Sequence, residues 1–418
     1  MKISMPDLLF ALSYALDAVE GELVGATPYH SRRVAYLSVQ VGRGLGLDGI
    51  QLVDLACAAA LHDNALTEYI TSEYQAGNDI LGSRGPSGTA VIDLRPHCSF
   101  GERNVSEMPF YSRIEDVILY HHENADGTGP FKVPAEQTPL YAQIIHLTDV
   151  LDVTCDLSSM TPKKYERLTQ MLSQQRGRFF TPKVVDAFTA RMDYLSLSTL
   201  RNDRIPDLLR SSIPDVMREY TGKELTGLAV IFARITDYKS RFTSSHSMGI
   251  AEKARDMAHY YRLGARIESE YYLAGALHDI GKLVIDRDVL EKPAKLTSEE
   301  YVYIQNHAWY SWQILSQVRG FEDLSRWASF HHEKLDGSGY PFGKHGYELN
   351  GLERLMACID IYQALTEERP YKPGLTHART LEIMRGMVDQ GKIDGRIVED
   401  IDDRFGAART LVGSRDLI

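Results

Sequence analysis

The sequence predicts an all-α protein built as two tandem helical domains. Two observations carry this. Apolar residues recur at helical spacing along most of the chain, and metal-ligand-type residues recur twice in the same order. The first set is His30, His62, Asp63, His97, His121, His122 and Asp149, and the second is His246, His278, Asp279, His307, His331, His332 and Asp360. Equivalent positions are offset by 216 for His30/His246 and His62/His278, by 210 for His97/His307 and His121/His331, and by 211 for Asp149/Asp360. The echo runs beyond the ligands: His121 to Gly129 reads HHENADGTG where His331 to Gly339 reads HHEKLDGSG, and Gly177 and Val184 answer to Gly391 and Val398. Whole domains are duplicated, not isolated motifs.

Taken in order, Leu52, Leu55 and Ala59 lead at helical spacing to His62, and Ile114, Val117 and Ile118 lead to His121. Tyr271, Ala274 and Leu277 lead to His278, and Leu324, Trp327 and Ala328 lead to His331. These patterns place the ligands on inward helix faces near helix ends. Each HHE segment then enters a Gly-rich turn, DGTGPF or DGSGYP, that ends the helix and shapes a loop beside the histidines. Short strand candidates occur only around Thr89 to Asp93 and Lys282 to Ile285, and the Gly/Ser-rich stretch Ala76 to Gly88 reads as a surface loop. Pro206 and Pro214 mark a charged, weakly periodic connection from about Ser196 to Thr226. The expected division is residues 1–200 for the first domain, 201–224 for a linker or linking helix, and 225–418 for the second domain.

A chain of 418 residues has room for two cores. No apolar run reaches the roughly 18 to 20 residues of a membrane span, and the amphipathic, acidic start does not read as a cleaved signal, so a cytoplasmic protein is expected. The four cysteines, Cys57, Cys98, Cys155 and Cys358, lack CxxC spacing and read as core or bystander thiols in a reducing compartment. A formal net charge of −11 argues against binding duplex nucleic acid through its phosphates. An anionic substrate then needs a local positive pocket, which metal ions supply. The sequence is compatible with a homodimer but does not fix the oligomeric state.

Imidazoles and carboxylates drawn from separate helices form a mixed N/O donor set suited to Fe, Mn, Co, Ni or Zn more than to Ca or Mg. An adjacent His-Asp pair lets the carboxylate bridge two ions while its histidine binds one. Two ions about 3.5 to 4 Å apart clamp a phosphodiester, generate hydroxide near neutral pH and stabilise the leaving oxygen. One His-Asp dipeptide carries little information, but ten of the 14 histidines fall in the repeated constellation. His146, His259, His345 and His377 have no counterpart and read as ordinary histidines.

With HDIGK at His278 to Lys282, HHEKLDGSGYP at His331 to Pro341 and ERPYKPG at Glu368 to Gly374, the second half resembles the HD-GYP family of bacterial cyclic-dinucleotide phosphodiesterases. The first half resembles the wider HD metal-dependent phosphohydrolase superfamily. The resemblance implies that His246, His278, Asp279, His307, His331, His332 and Asp360 hold a di-metal centre, iron or manganese in this family, with Asp279 and Lys282 in the catalytic machinery. It also implies that Lys282, Arg369 and Lys372 contact substrate phosphates or a guanine and that Gly339, Tyr340 and Pro341 shape the lip of the site. Cations three residues after the His-Asp pair and in the turn after Asp360 are where an anion pocket needs them.

Two positions depart from the family pattern. Phe242 stands where members with a third metal carry Glu, so a trinuclear centre is not expected. Gln363 stands where the family has a second Asp after the metal Asp, which removes a negative charge next to the ligands. The first domain keeps its seven ligand-type residues, His30, His62, Asp63, His97, His121, His122 and Asp149, as a second metal site. It replaces the substrate-type residues: Leu66 for Lys282, Pro130-Phe131 for Tyr340-Pro341, and Ser158 and Thr161 for Arg369 and Lys372. Metal binding with a regulatory or structural role is expected there. The function expected of the whole is hydrolysis of cyclic di-GMP to pGpG or GMP by the second domain, the alternatives being a 3'3'-cyclic GMP-AMP phosphodiesterase and a noncatalytic cyclic-dinucleotide receptor.

Overall fold

The computed structural model describes residues 1–24, 27–75, 93–239, 246–292, 294–368 and 373–413. Outside them lie the loop expected at Ala76 to Gly88, most of the Thr89 to Asp93 strand candidate, Phe242, Arg369 and Lys372. The described chain is all-α apart from paired two-residue strands, Lys2–Ile3 and Arg218–Glu219. None of its helices is long and apolar enough to cross a membrane.

Packing divides the chain into a unit of Ser4–Arg218 and a unit of Glu219–Ile418 that also takes in Met1–Ile3. The N-terminal residues join the latter by backbone pairing: Tyr220 N donates to Met1 O at 2.7 Å, and the Met1 ammonium donates to Tyr220 O at 3.1 Å. Residues 201–218 of the expected linker cluster with the first unit, in which the helix Ile205–Ser211 packs against His30–Gly44.

In the first unit, His30–Gly44 is central, meeting Gly49–Ala60, Leu140–Cys155 and Pro182–Arg191. Its core-facing residues Val34, Leu37 and Val41 are fully buried. Gly49–Ala60 starts at a capping box, in which Asp48 and Gln51 satisfy each other's backbone N–H groups, and runs through five buried small residues, Ala56 to Ala60. Small side chains allow the close approach that brings His62, just past the helix end, to His30.

The second unit repeats the plan with His246–Tyr260 against Ala265–Leu277, flanked by Gly222–Asp237 and Gly351–Thr366. Capping boxes at Thr221/Glu224, Thr297/Glu300 and Asn350/Glu353 fix where three helices start, and two of those helices carry ligands, His307 on Ser298–Leu315 and Asp360 on Gly351–Thr366.

Two local expectations are corrected. Ile280–Val284 is a 3₁₀ helix, so the strand candidate at Lys282 to Ile285 falls: Lys282 N donates to Asp279 O and Ile285 N to Lys282 O, bonds that close turns. The apolar spacing before His121 does not make an α-helix. Asp116 takes φ +62°, and the Glu102 carboxylate accepts from Asp116 N, Ile118 N and Leu119 N, holding a run of turns instead. The counterpart before His331 is helical over Glu322–Ser329, with both histidines in the turn beyond it.

One close contact locks the second His-Asp pair to the His307 helix. A Cβ on Gly281 would lie 2.0 Å from His307 O, while Ser311 Oγ accepts from Gly281 N at 3.0 Å and donates to His278 O at 2.8 Å. By the repeat offsets, Gly281 answers to Ala65 and Ser311 to Gly101. In the first domain the glycine stands on the helix instead, where a Cβ on Gly101 would lie 2.8 Å from Ile118 Cγ2 and 3.8 Å from Ala65 Cβ.

Candidate metal centres

Both ligand sets converge. In the second domain, ligand atoms within 4.8 Å of one another define three overlapping groups: His246/His278/Asp360, His278/Asp279/His331 and His307/His331/His332. Asp279 stands between them. Its Oδ2 faces His278 Nε2 at 3.0 Å and His246 Nε2 at 3.8 Å, while Oδ1 faces His307 Nε2 at 3.3 Å and His331 Nε2 at 3.8 Å. Asp360 divides likewise, Oδ1 toward His246 Nε2 at 3.6 Å and Oδ2 toward His332 Nδ1 at 3.5 Å. Two carboxylates each presenting one oxygen to each histidine group give one donor set that spans both groups.

The histidine tautomers suit metal binding. Nδ1 of His278, His307 and His331 donates to the carbonyls of Gly275, Ile304 and Ala328 at 2.8, 2.7 and 2.6 Å. With the proton held at Nδ1, each Nε2 carries a bare lone pair. His307 Nε2 and His331 Nε2 face each other at 3.3 Å, repulsive for two lone pairs but a separation suited to two ligands of one ion. His278 Nε2 and Asp279 Oδ1 are buried with no hydrogen-bond partner. Buried polar atoms are nearly always satisfied, so these orphans fit a cation between them.

Electrostatics agree. Burial pushes His307 down to about 3 and lowers His331 and His332, leaving neutral imidazoles. Burial acts against the charged forms of Asp279 and Asp360 too, yet the surrounding histidines hold both well below the usual carboxylate range. Burial would also lower His246, but hydrogen bonds to Asp360 and Glu367 raise it to about 9. Three neutral imidazoles beside two ionised carboxylates offer lone pairs and negative charge to a cation, while His246 has to release a proton to bind one.

Lys282 pairs through Nζ with Asp279 Oδ2, in line with its expected place beside the centre. The Tyr340 ring lies 4.7 Å from the His332 ring, and Tyr340 N donates to His332 O at 3.2 Å. The peptide bond between Tyr340 and Pro341 is cis. A Cβ on Gly339 would lie 2.4 Å from Lys334 N, so only glycine fits this fold of the loop. Glu333, the glutamate of the HHE segment, accepts from Phe342 N and Lys344 N at 2.7 and 2.8 Å, fixing the loop over the histidines.

The first domain shows the same geometry with different details. Its groups are His30/His62/Asp63 and His97/Cys98/His121/His122. Asp63 Oδ2 faces His62 Nε2 at 3.5 Å and Oδ1 faces His97 Nε2 at 2.9 Å, while Asp149 reaches His30 Nε2 at 3.4 Å and His122 Nδ1 at 3.9 Å. His62 and His121 hold their Nδ1 protons on Ala59 O and Ile118 O, and their Nε2 atoms are buried without partners. The residues opposite the substrate-type positions are otherwise engaged: Ser158 donates to Asp156, and Thr161 caps the helix Pro162–Gln175.

Two neighbours were missed in the sequence. Asp152, three residues after Asp149, accepts from His30 Nδ1 at 2.7 Å and is paired with Arg33. Glu367 takes that role for His246 in the second domain. The Asp149-x-x-Asp152 spacing was a readable signal for the former. Nothing in the sequence marks Glu367, which reaches its histidine from the helix end.

Residues 27–154 match one HD domain family and residues 230–397 match another. The chain is 27% identical over 409 residues to a Vibrio cholerae protein named 3'3'-cGAMP-specific phosphodiesterase 1, spanning 96% of this chain and 91% of that protein. It is 35% identical over 144 residues to a Pseudomonas aeruginosa cyclic di-GMP phosphodiesterase, spanning 34% of this chain and 35% of that protein. A solved structure described as a cyclic GMP-AMP-specific phosphodiesterase of V. cholerae shares the fold at a TM-score of 0.65 and 24% identity, covering 97% of this chain and 98% of that one. With both ligand constellations inside the matched segments, the chain is an HD-domain protein that carries two HD domains in tandem.

Proposed function

We propose that this protein is a metal-dependent phosphodiesterase that opens a 3'3'-linked cyclic dinucleotide at the centre of its second domain. The observation that carries the reading is the pair of carboxylates, Asp279 and Asp360, each presenting separate oxygens to the two histidine groups. His246, His278, Asp279, His307, His331, His332 and Asp360 hold the ions. When bound, two such ions activate water and neutralise the phosphodiester's charge. Iron or manganese suits the N/O donors.

The protein groups around the centre have separate tasks. Lys282, one turn past the His-Asp pair and part-exposed, is the ammonium positioned to pair with a phosphate oxygen as well as with Asp279. Tyr340, its ring tilted against that of His332, forms an aromatic wall on the substrate side. Gly339 and Glu333 hold that wall in place. Arg369 and Lys372 complete the anion pocket in this reading.

Between cyclic di-GMP and the mixed cyclic GMP-AMP, similarity over the whole two-domain chain favours the mixed dinucleotide. The relative matched across both domains carries that substrate in its name, whereas the cyclic di-GMP relative is similar over about a third of the chain. The first domain, with its donors kept and its cationic positions replaced, is a regulatory or structural metal domain. The deciding experiment is metal analysis with anaerobic turnover of both dinucleotides and linear controls. Hydrolysis of neither by iron- or manganese-loaded protein rejects the enzyme in favour of a receptor, and faster cyclic di-GMP turnover reverses the substrate order.

A further inference from the structure

The two centres differ in one donor. His97 and His307 are equivalent, but the residue after them is Cys98 in the first domain and Ala308 in the second. Both members of the His97-Cys98 pair lie on the helix Leu94–Ser106, and Cys98 is fully buried. A buried free cysteine ordinarily acts as a small hydrophobe. This one stands in a group with His97, His121 and His122 whose ligand atoms all lie within 4.8 Å of one another. Its second-domain counterpart, His307/His331/His332, offers nitrogen alone.

Independent signs of a ligand come from the histidines. His121 is fully buried, its Nδ1 is committed to Ile118 O at 2.6 Å, and its Nε2 has no hydrogen-bond partner. His97, 1% exposed, leaves Nδ1 buried and unpaired while Nε2 faces Asp63. With Nδ1 of His121 engaged, its unpaired Nε2 is the nitrogen left for the buried group that includes the Cys98 thiol. Hydrophobic packing accounts for the sulfur but not for the nitrogens around it.

We propose that Cys98 is a thiolate ligand of the first-domain centre, acting with His97, His121 and His122 to bind a thiophilic divalent ion such as Zn²⁺ or Fe²⁺. On binding, the S–H bond breaks, the sulfur–metal bond forms and the proton leaves to solvent, with no change of oxidation state. A soft sulfur donor favours zinc or ferrous iron over manganese, whereas the all-N/O second centre has no such bias. The two domains thus sort metals by chemistry despite their common ancestry. The inference needs no substrate and stands apart from the phosphodiesterase reading.

The test uses Co²⁺ as the probe on the full-length protein. At saturating Co²⁺ the wild type should show a thiolate-to-cobalt charge-transfer band in the near ultraviolet. Both Cys98→Ala and the nearly isosteric Cys98→Ser should lose the band, with first-domain affinity lower by about 10-fold or more. Cys57→Ala, which removes a buried thiol of the same domain outside the group, should keep it. Should Cys98→Ala fold poorly by circular dichroism, Cys98→Ser decides. No band in the cobalt-saturated wild type, or an undiminished band in a folded Cys98 variant, overturns the assignment.

Discussion

His246 Nδ1 lies 2.9 Å from Glu367 Oε2, and by this contact Glu367 orients His246 as Asp152 orients His30 across 2.7 Å in the first domain. The two carboxylates are not equivalent in sequence. Asp152 answers to Gln363, whose Oε1 accepts from Lys253 at 2.6 Å and whose Nε2 donates to Glu367 Oε1 at 3.3 Å. The negative charge that Gln363 lacks returns one helical turn later. In the first domain Arg33 packs against Asp152; its counterpart is Gly249, where a Cβ would lie 2.4 Å from Gln363 Nε2. The exchange of Asp for Gln is therefore matched by an exchange of Arg for Gly and by recruitment of Glu367.

Removing Glu367 should loosen the second centre. Glu367→Ala is expected to weaken metal binding by about 10- to 100-fold, the usual effect of losing a carboxylate that orients a ligating histidine. Glu367→Gln keeps a hydrogen-bond acceptor without the charge and should fall between. Competition titration with a chromogenic chelator measures both, and wild-type affinity in Glu367→Ala would show that His246 is held by other means.

How much of this was legible in the sequence depends on the range of the interaction. The duplicated spacing marked both sets of candidate ligands because the repeat keeps each one at the same place along its domain, six of them on helices and eight in turns. Apolar periodicity and helix agree where a cap supports them, as at Gly49–Ala60 with Leu52, Leu55 and Ala59 behind the Asp48 capping box. They part before His121, where Glu102, distant in sequence, captures three backbone N–H groups and Asp116 turns left-handed. Glu367 was illegible for the same reason, since no local pattern tells which of two consecutive glutamates, Glu367 or Glu368, folds back onto His246. Cys98 was visible but read as a bystander, because only the packing places its sulfur among imidazoles.

Gly281 should tolerate no side chain. A methyl group there meets His307 O at 2.0 Å, so Gly281→Ala must separate the His-Asp turn from the His307 helix. Overpacking of this kind costs about 1 to 3 kcal/mol. Thermal unfolding should shift down, and second-domain metal content should fall with it; an unchanged melting temperature would show that the turn relaxes freely.

Replacing both His278 and Asp279 with Ala takes one imidazole and the bridging carboxylate from the second centre. Turnover should disappear and metal stoichiometry should drop, while the first-domain ion stays. Hydrolysis at the wild-type rate in that variant would remove the second domain from the reaction.

Lys282→Ala separates anchoring from metal binding. Losing one charge-assisted hydrogen bond to a phosphate should cost about 1.5 to 3 kcal/mol in kcat/KM. Metal content should be retained, because Lys282 offers no lone pair while protonated. Loss of metal would mark the lysine as a prop for Asp279, and Arg369→Ala, measured alongside, should cost a similar amount.

The last prediction concerns the inequality of the two domains. Ions supply reactivity but not recognition, and in the first domain Leu66 replaces the lysine, Ser158 is tied to Asp156, and Thr161 caps a helix. Lys164, in the helix that Thr161 caps, is paired with Asp156 at 2.6 Å, so this cation is occupied too. His62→Ala with Asp63→Ala should therefore empty the first centre and leave cyclic-dinucleotide turnover in place. The measurement is steady-state hydrolysis with metal content determined for each centre. Lost turnover in a folded variant with a fully metallated second centre would mean that the first domain takes part in catalysis, and hydrolysis by a fragment of residues 1–218 would place a complete active site there.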